Sequence, residues 1–112
     1  MEILYHGSRI EKVCKDQAYR FKKHGEARSR AIESRLDELE GVDNLEQMGL
    51  LPQARCHELK GNRRGTLAVD LDGAWRLIFE PANDPIPRKP DGGLDRTQVT
   101  VIRILEIGDY HD

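Results

Sequence analysis

Three short stretches hold the residue types best suited to chemistry. "RCHELKGNRRG" supplies Arg55, His57, Lys60, Arg63 and Arg64, with glycines flanking the basic loop. "WRLIFE" adds Arg76. "EIGDYHD" closes the chain with Asp109, Tyr110 and His111. Cleavage of RNA by its own 2′-hydroxyl needs a base for the hydroxyl proton and an acid for the leaving oxygen. It also needs cations where charge builds on the phosphate. Histidine serves as base or acid near neutral pH. Arginine presents a planar fork matching phosphate oxygens. An aromatic ring holds a splayed base by stacking. His57 or His111, Arg76 and Tyr110 cover these roles without a metal or cofactor.

Each residue alone has a plainer reading. A single strand histidine is usually a surface or satisfied one. "KGNRRG" reads equally as a solvated hairpin turn. Arg76 beside Trp75 could be a structural cation–π arginine. Tyr110 could cover the core edge, and Asp109 could accept a backbone hydrogen bond. His6 and His24 read as structural or solvated. The co-occurrence of the three stretches carries more weight than any one residue.

The elements that must position these residues fit a single domain spanning 1–112. The chain has 112 residues, 38% apolar and 34% charged, enough for one modest core. Its 18 Lys and Arg nearly balance 20 Asp and Glu, so net charge argues neither for nor against a nucleic-acid partner. Cys14 and Cys56 lack CxxC spacing and read as free thiols in a reducing cytoplasm. The scattered histidines form no zinc pattern. No apolar run is long enough to cross a membrane, and no secretory leader is evident.

"MEILYH" reads as a first strand. "SRIE" reads as a capping box, with Ser8 capping and Glu11 reaching back. Ile10, Val13, Cys14, Ala18 and Phe21 give one helix an apolar face, ending at Gly25 as a left-handed cap. A second helix over about 26–40 buries Ala27, Ala31, Ile32, Leu36 and Leu39. Its outer face carries Arg28, Arg30 and Arg35 first and acids last, an order opposed to the helix dipole. "VDNLEQMGLLP" predicts a short helical turn.

From Ala54 the pattern changes to strands. "ARCHELKG" is the second, and "GTLAVDL" and "AWRLIFE" are the third and fourth. "DG" at 72–73 predicts a tight two-residue hairpin turn, with Val69 opposite Arg76. Residues 81–97 hold four of the five prolines in a long loop without periodicity. "QVTVIRILEI" is apolar on both faces, as for a strand inside a sheet. The whole order is α+β.

"RCHELKGNRRGTLAVDLDGAWRLIFEP" followed by "VIRILEIGDYHD" resembles the HigB-like toxins of the RelE/ParE superfamily. The resemblance runs from "MEILY" to "DYH". It implies a RelE-like fold, two N-terminal helices packed on a small twisted antiparallel β-sheet. It implies ribosome-dependent cleavage of translated mRNA, and a helix-turn-helix antitoxin (HigA-like) as partner. Operator DNA would be met only through the toxin–antitoxin complex. By resemblance His57 matches the active-site histidine and Lys60 the basic residue three positions on. Arg76 matches the arginine on the scissile phosphate, and Asp109, Tyr110 and His111 match the terminal cluster. Arg55, Arg63 and Arg64 join Lys60 as phosphate-binding candidates. The pI near 6.1 departs from the basic character of ribosome-binding relatives. The 81–97 insertion also exceeds their minimal hairpin.

Three functions stay open on the sequence. The first is an endoribonuclease toxin. The second is a non-enzymatic inhibitor of DNA gyrase, which needs neither histidine as a proton shuttle. The third is a degenerate toxin acting only in antitoxin complex and operon regulation.

Overall fold

A computed structural model describes residues 1–109. Five strands form one sheet: β1 (Glu2–Tyr5), β2 (His57–Glu58), β3 (Leu67–Asp70), β4 (Trp75–Pro81) and β5 (Val101–Asp109), in the order β1-β5-β4-β3-β2. Strands β2 to β5 pair antiparallel, and β1 runs parallel to β5, so the sheet is mixed. Helices α1 (Ser8–Lys15), α2 (Gln17–Gly41) and the single-turn α3 (Leu45–Met48) complete the α+β plan.

Strand alternation sorts the sheet into two faces. Leu67 and Val69, Leu77 and Phe79, and Ile102 and Ile104 turn one way. They pack with Ile10, Val13, Ile32, Leu36, Leu39, Leu45 and Met48 in one core. Ala68 and Ile78 turn the other way. β5 lies inside the sheet between β1 and β4, as its two apolar faces predict.

The helix layer departs from the sequence reading. The predicted first helix is broken at Asp16, whose extended backbone (φ −104°, ψ 101°) separates α1 from α2. Gly25, at φ 79° and ψ 174°, interrupts α2 where a glycine stop was expected. The capping box does not form. Gly7 takes the N-cap position with no side-chain cap, and Glu11 pairs with Lys15 at 2.9 Å instead. Asp16 caps α2 by accepting from the Tyr19 amide at 3.0 Å.

The break also resets the helical phase. Ala18 and Ala27 are exposed, and Phe21 is 52% exposed, although all three were expected inside. Arg20 is buried in their place, at 4% exposure. Its Nη1 donates to the carbonyls of Val13 (3.1 Å) and Cys14 (3.0 Å), which α1 leaves unsatisfied as it ends. Its Nε donates to Ser29 Oγ at 3.2 Å, and Nη2 to Glu33 at 3.4 Å, both beyond the Gly25 break. One guanidinium therefore joins three helical segments.

The basic start of the second helical run also acquires a reason. Arg28 stacks 3.7 Å from the Trp75 ring centroid and pairs with Asp72 at 3.0 Å. Arg35 Nε donates to the Asp70 carbonyl at 2.8 Å. Arg28 and Arg35 thus face the β3–β4 hairpin rather than solvent. His24 meets Trp75 edge-on, with centroids 5.8 Å apart. Burial lowers the His24 pKa, and Lys23 and Arg28 lower it further against the opposing pull of Asp72.

The thiols are both free. Burial pushes Cys14 up to about 12 and Cys56 up to about 11, which makes both poor nucleophiles. Among the described residues, no helix is long and apolar enough to cross a membrane.

Two predictions follow from the helix layer. Arg20→Met strips hydrogen bonds from buried helix-end carbonyls and should cost about 2–3 kcal/mol, read as a lower urea midpoint with an unchanged slope. For His24, a folded pKa below the unfolded value of about 6.5 means protonation favours the unfolded chain. Its stabilising effect is complete above about pH 6.5 and is lost as pH falls through the folded pKa. His24→Gln should therefore show a smaller loss of stability between pH 7.5 and 5.5 than the parent protein in matched urea titrations.

Candidate functional site

The face away from the helices gathers the candidate residues in two neighbouring rows. Paired residues of antiparallel strands share a face. One row runs His57, Ala68, Ile78, Glu106 across β2, β3, β4 and β5. The next runs Asp70, Arg76, Gly108.

The second row exists because of the hairpin register, which differs from the expected one by a residue. The Leu71 amide donates to the Trp75 carbonyl, while the Trp75 amide donates to Asp72, leaving a three-residue loop with Gly73 at φ 55°. The pairing becomes Asp70 with Arg76, and Val69 with Leu77. A two-residue turn would have set Arg76 against apolar Val69. The observed turn sets it against a carboxylate.

Arg76 is largely buried, with a side chain 13% exposed. Its Nε lies 3.0 Å from Asp70 Oδ1. Its Nη1 donates to the carbonyls of Gly73 (3.0 Å) and Trp75 (2.9 Å). Arg55 approaches the other carboxylate oxygen, with Nε 2.9 Å from Asp70 Oδ2 and a side chain 48% exposed. The Asp70 backbone is held as well, its amide donating to the Ala54 carbonyl at 2.8 Å. Asp70 is thus the centre of an Arg55–Asp70–Arg76 group.

Arg55 also orients His57. Its φ is 43°, a left-handed conformation that non-glycine residues seldom adopt. The Arg55 carbonyl lies 2.7 Å from His57 Nδ1. A carbonyl can only accept, so this contact assigns the proton to Nδ1. In the neutral ring Nε2 is then the basic nitrogen, and that atom is buried.

The basic loop is divided. Arg63 lies in a short 3₁₀ turn (Gly61–Arg63) and reaches Glu106 at 2.5 Å across the face. Lys60 and Arg64 flank the turn and are exposed. The predicted strand 54–61 shortens to His57 and Glu58, because the turn begins at Gly61. On this face Arg55, Arg63 and Arg76 meet the carboxylates of Asp70 and Glu106. The group therefore carries positive charge, although the whole chain does not.

Asp109 is placed differently. It pairs with Trp75, in the row on the helix side of the sheet, and not beside Arg76. Tyr110 and His111 lie outside the described residues. The sequence reading missed Asp70 and Glu106. Asp70 becomes legible once the three-residue turn is known, because it then falls opposite Arg76. Glu106 has no such signal. β5 carries an extra residue, Leu105, between the pairs Phe79–Ile104 and Ile78–Glu106. Simple alternation from Ile104 would have put Glu106 in the core.

The 81–97 segment is tied down at several points. Asn83 Oδ1 accepts from the amides of Thr100 (3.0 Å) and Val101 (3.1 Å). Arg88 and Leu94 form a bridge, and Arg96 Nη2 donates to Glu58 at 2.7 Å, one residue from His57.

No protein-family model and no curated protein matches the chain. Solved structures do. A YafQ mutant from E. coli aligns over 96% of this chain and 91% of its own at 19% identity, with a TM-score of 0.48. A YoeB/ParE toxin from Agrobacterium tumefaciens aligns over 99% of this chain and 100% of its own, with a TM-score of 0.58 and 9% identity. At that identity the likeness concerns the fold, and the chain has the RelE/YoeB-like fold: helices packed on one face of a five-stranded mixed sheet.

Proposed function

We propose that the protein is the toxin of a toxin–antitoxin pair and a ribosome-dependent endoribonuclease of mRNA, partnered by a HigA-like helix-turn-helix antitoxin. Operator DNA is met through that complex. The observation that carries this reading is His57, with Nδ1 committed to a carbonyl, on the same sheet face as the Arg55–Asp70–Arg76 group.

His57 Nε2, buried in the free protein, becomes the base that takes the proton of the 2′-hydroxyl when RNA is seated against it. The 2′-oxygen attacks phosphorus, the bond to the 5′-oxygen breaks, and a 2′,3′-cyclic phosphate and a 5′-hydroxyl end result. Arg76, with Arg55, balances charge developing on the non-bridging oxygens. The leaving 5′-oxygen needs a proton, and His111 is the proposed acid. Tyr110 is the proposed stacking ring, while Asp109, on the helix side of the sheet, is given no part in the reaction. Lys60, Arg63 and Arg64 extend the cationic track for the RNA backbone.

The reading is tested by inducing the chain without antitoxin and mapping mRNA 5′ ends on ribosomes. Growth arrest with new ribosome-positioned ends is expected. His57→Ala and Arg76→Ala should each reduce those ends by about 100-fold or more while circular dichroism and antitoxin binding stay as in the parent. Arrest without new ends, equally strong in His57→Ala, would favour a gyrase inhibitor. Absence of arrest from folded protein would favour a purely regulatory role.

A further inference from the structure

The carboxylate at the centre of the site has no place in the reaction above, yet its residue is held at the backbone and at both carboxylate oxygens. Asp70 is fixed at its amide by Ala54 and at its carbonyl by Arg35, both at 2.8 Å. Its two carboxylate oxygens are divided between two guanidinium groups, Oδ2 to Arg55 and Oδ1 to Arg76. Two oxygens on one anionic centre, each read by an arginine, are also what a phosphodiester presents through its non-bridging oxygens.

We propose that Asp70 is a positioning residue that holds Arg55 and Arg76 in a phosphate-shaped cradle until an RNA phosphate takes its place. This inference rests on the nuclease reading and adds to it a residue and an exchange step. The two arginines have unequal freedom. Arg76 is mostly buried and bound to two backbone carbonyls, so it is the fixed half of the cradle. Arg55 is half exposed and is the half that moves. Its backbone stays put throughout, because its carbonyl contacts His57. Its strained φ is the kind of conformation a site retains when the surroundings dictate it. Asp70 thereby acts on two things at once, the anion cradle through the Arg55 side chain and the base through the Arg55 main chain. No bond is made or broken at Asp70, and one anion replaces another.

Nitrogen-15 NMR of the arginine Nε–H groups tests this without requiring catalysis. In the parent protein, inorganic phosphate should shift the Arg55 and Arg76 signals together along one binding curve. Asp70→Asn keeps the shape and the backbone bonds but removes the competing charge. It should bind phosphate about threefold more tightly, the scale of one partly exposed ion pair. It should also lose about 100-fold in kcat for ribosome-bound mRNA, as a misplaced cradle would, with KM not raised. Arg55→Ala should abolish the joint titration while the Arg76 signal persists. Unchanged phosphate affinity in a folded Asp70→Asn protein, or an Arg76 signal that ignores phosphate in the parent, would overturn the proposal. Joint titration in a parent protein that cuts no mRNA would support the cradle and overturn the nuclease reading instead.

Discussion

Three arginines from three distant parts of the chain converge on Asp70, and the arrangement of the outer sheet face depends on that meeting. Arg35 comes from α2 through the core edge, Arg55 from the turn before β2, and Arg76 from the neighbouring strand. Arg55 and Arg76 would repel one another, and their common carboxylate lets them share one region, while Arg35 holds the Asp70 main-chain carbonyl. Such partly buried pairs contribute modestly to net stability, because desolvation offsets much of the attraction. Their larger effect is geometric. They fix which atoms face the open side of the sheet.

The opposite layer uses the same device for a different end. Arg20 joins α1 to both arms of α2 by satisfying carbonyls that a glycine cap or water would otherwise meet. The two arginine centres lie on either side of one apolar core. A charge order along α2 that opposes the helix dipole becomes intelligible here. Arg28 and Arg35 are placed for the β3–β4 hairpin, and the modest dipole penalty yields to contacts with Trp75, Asp72 and Asp70. The chain's acidic pI likewise conceals a division. Asp37, Glu38, Glu40, Asp43 and Glu46 follow one another without a basic residue, well away in sequence from the arginine-rich sheet.

Much of this was legible in the residues. The strands "GTLAVDL" and "WRLIFE" were legible as strands, and β5 read correctly as an internal strand. The α+β order followed from the switch of period at Ala54. What stayed hidden shares a cause: a single residue that shifts phase. Asp16 shifts the helical phase and exchanges Phe21 for Arg20. Ala74 lengthens the hairpin and exchanges Val69 for Asp70 opposite Arg76. Leu105 shifts β5 and turns Glu106 outward. Each is decided by tertiary fit, which local propensity does not encode. His57 and Arg76 were singled out by residue type and by resemblance. Asp70, between them, needed the register.

The parallel pairing of β1 with β5 has a kinetic side. Residues 2–5 pair with residues 101–104, so the chain's earliest strand finds its sheet partner almost a full length later. Such a contact closes the largest loop available and forms late by its entropy. During synthesis β1 must wait beside helices already able to form, with its apolar residues unsheltered, until β5 arrives. β5 also contributes Glu106 and Gly108 to the outer face. Completion of the sheet and part of its outer face therefore depend on one strand far along the chain from β1.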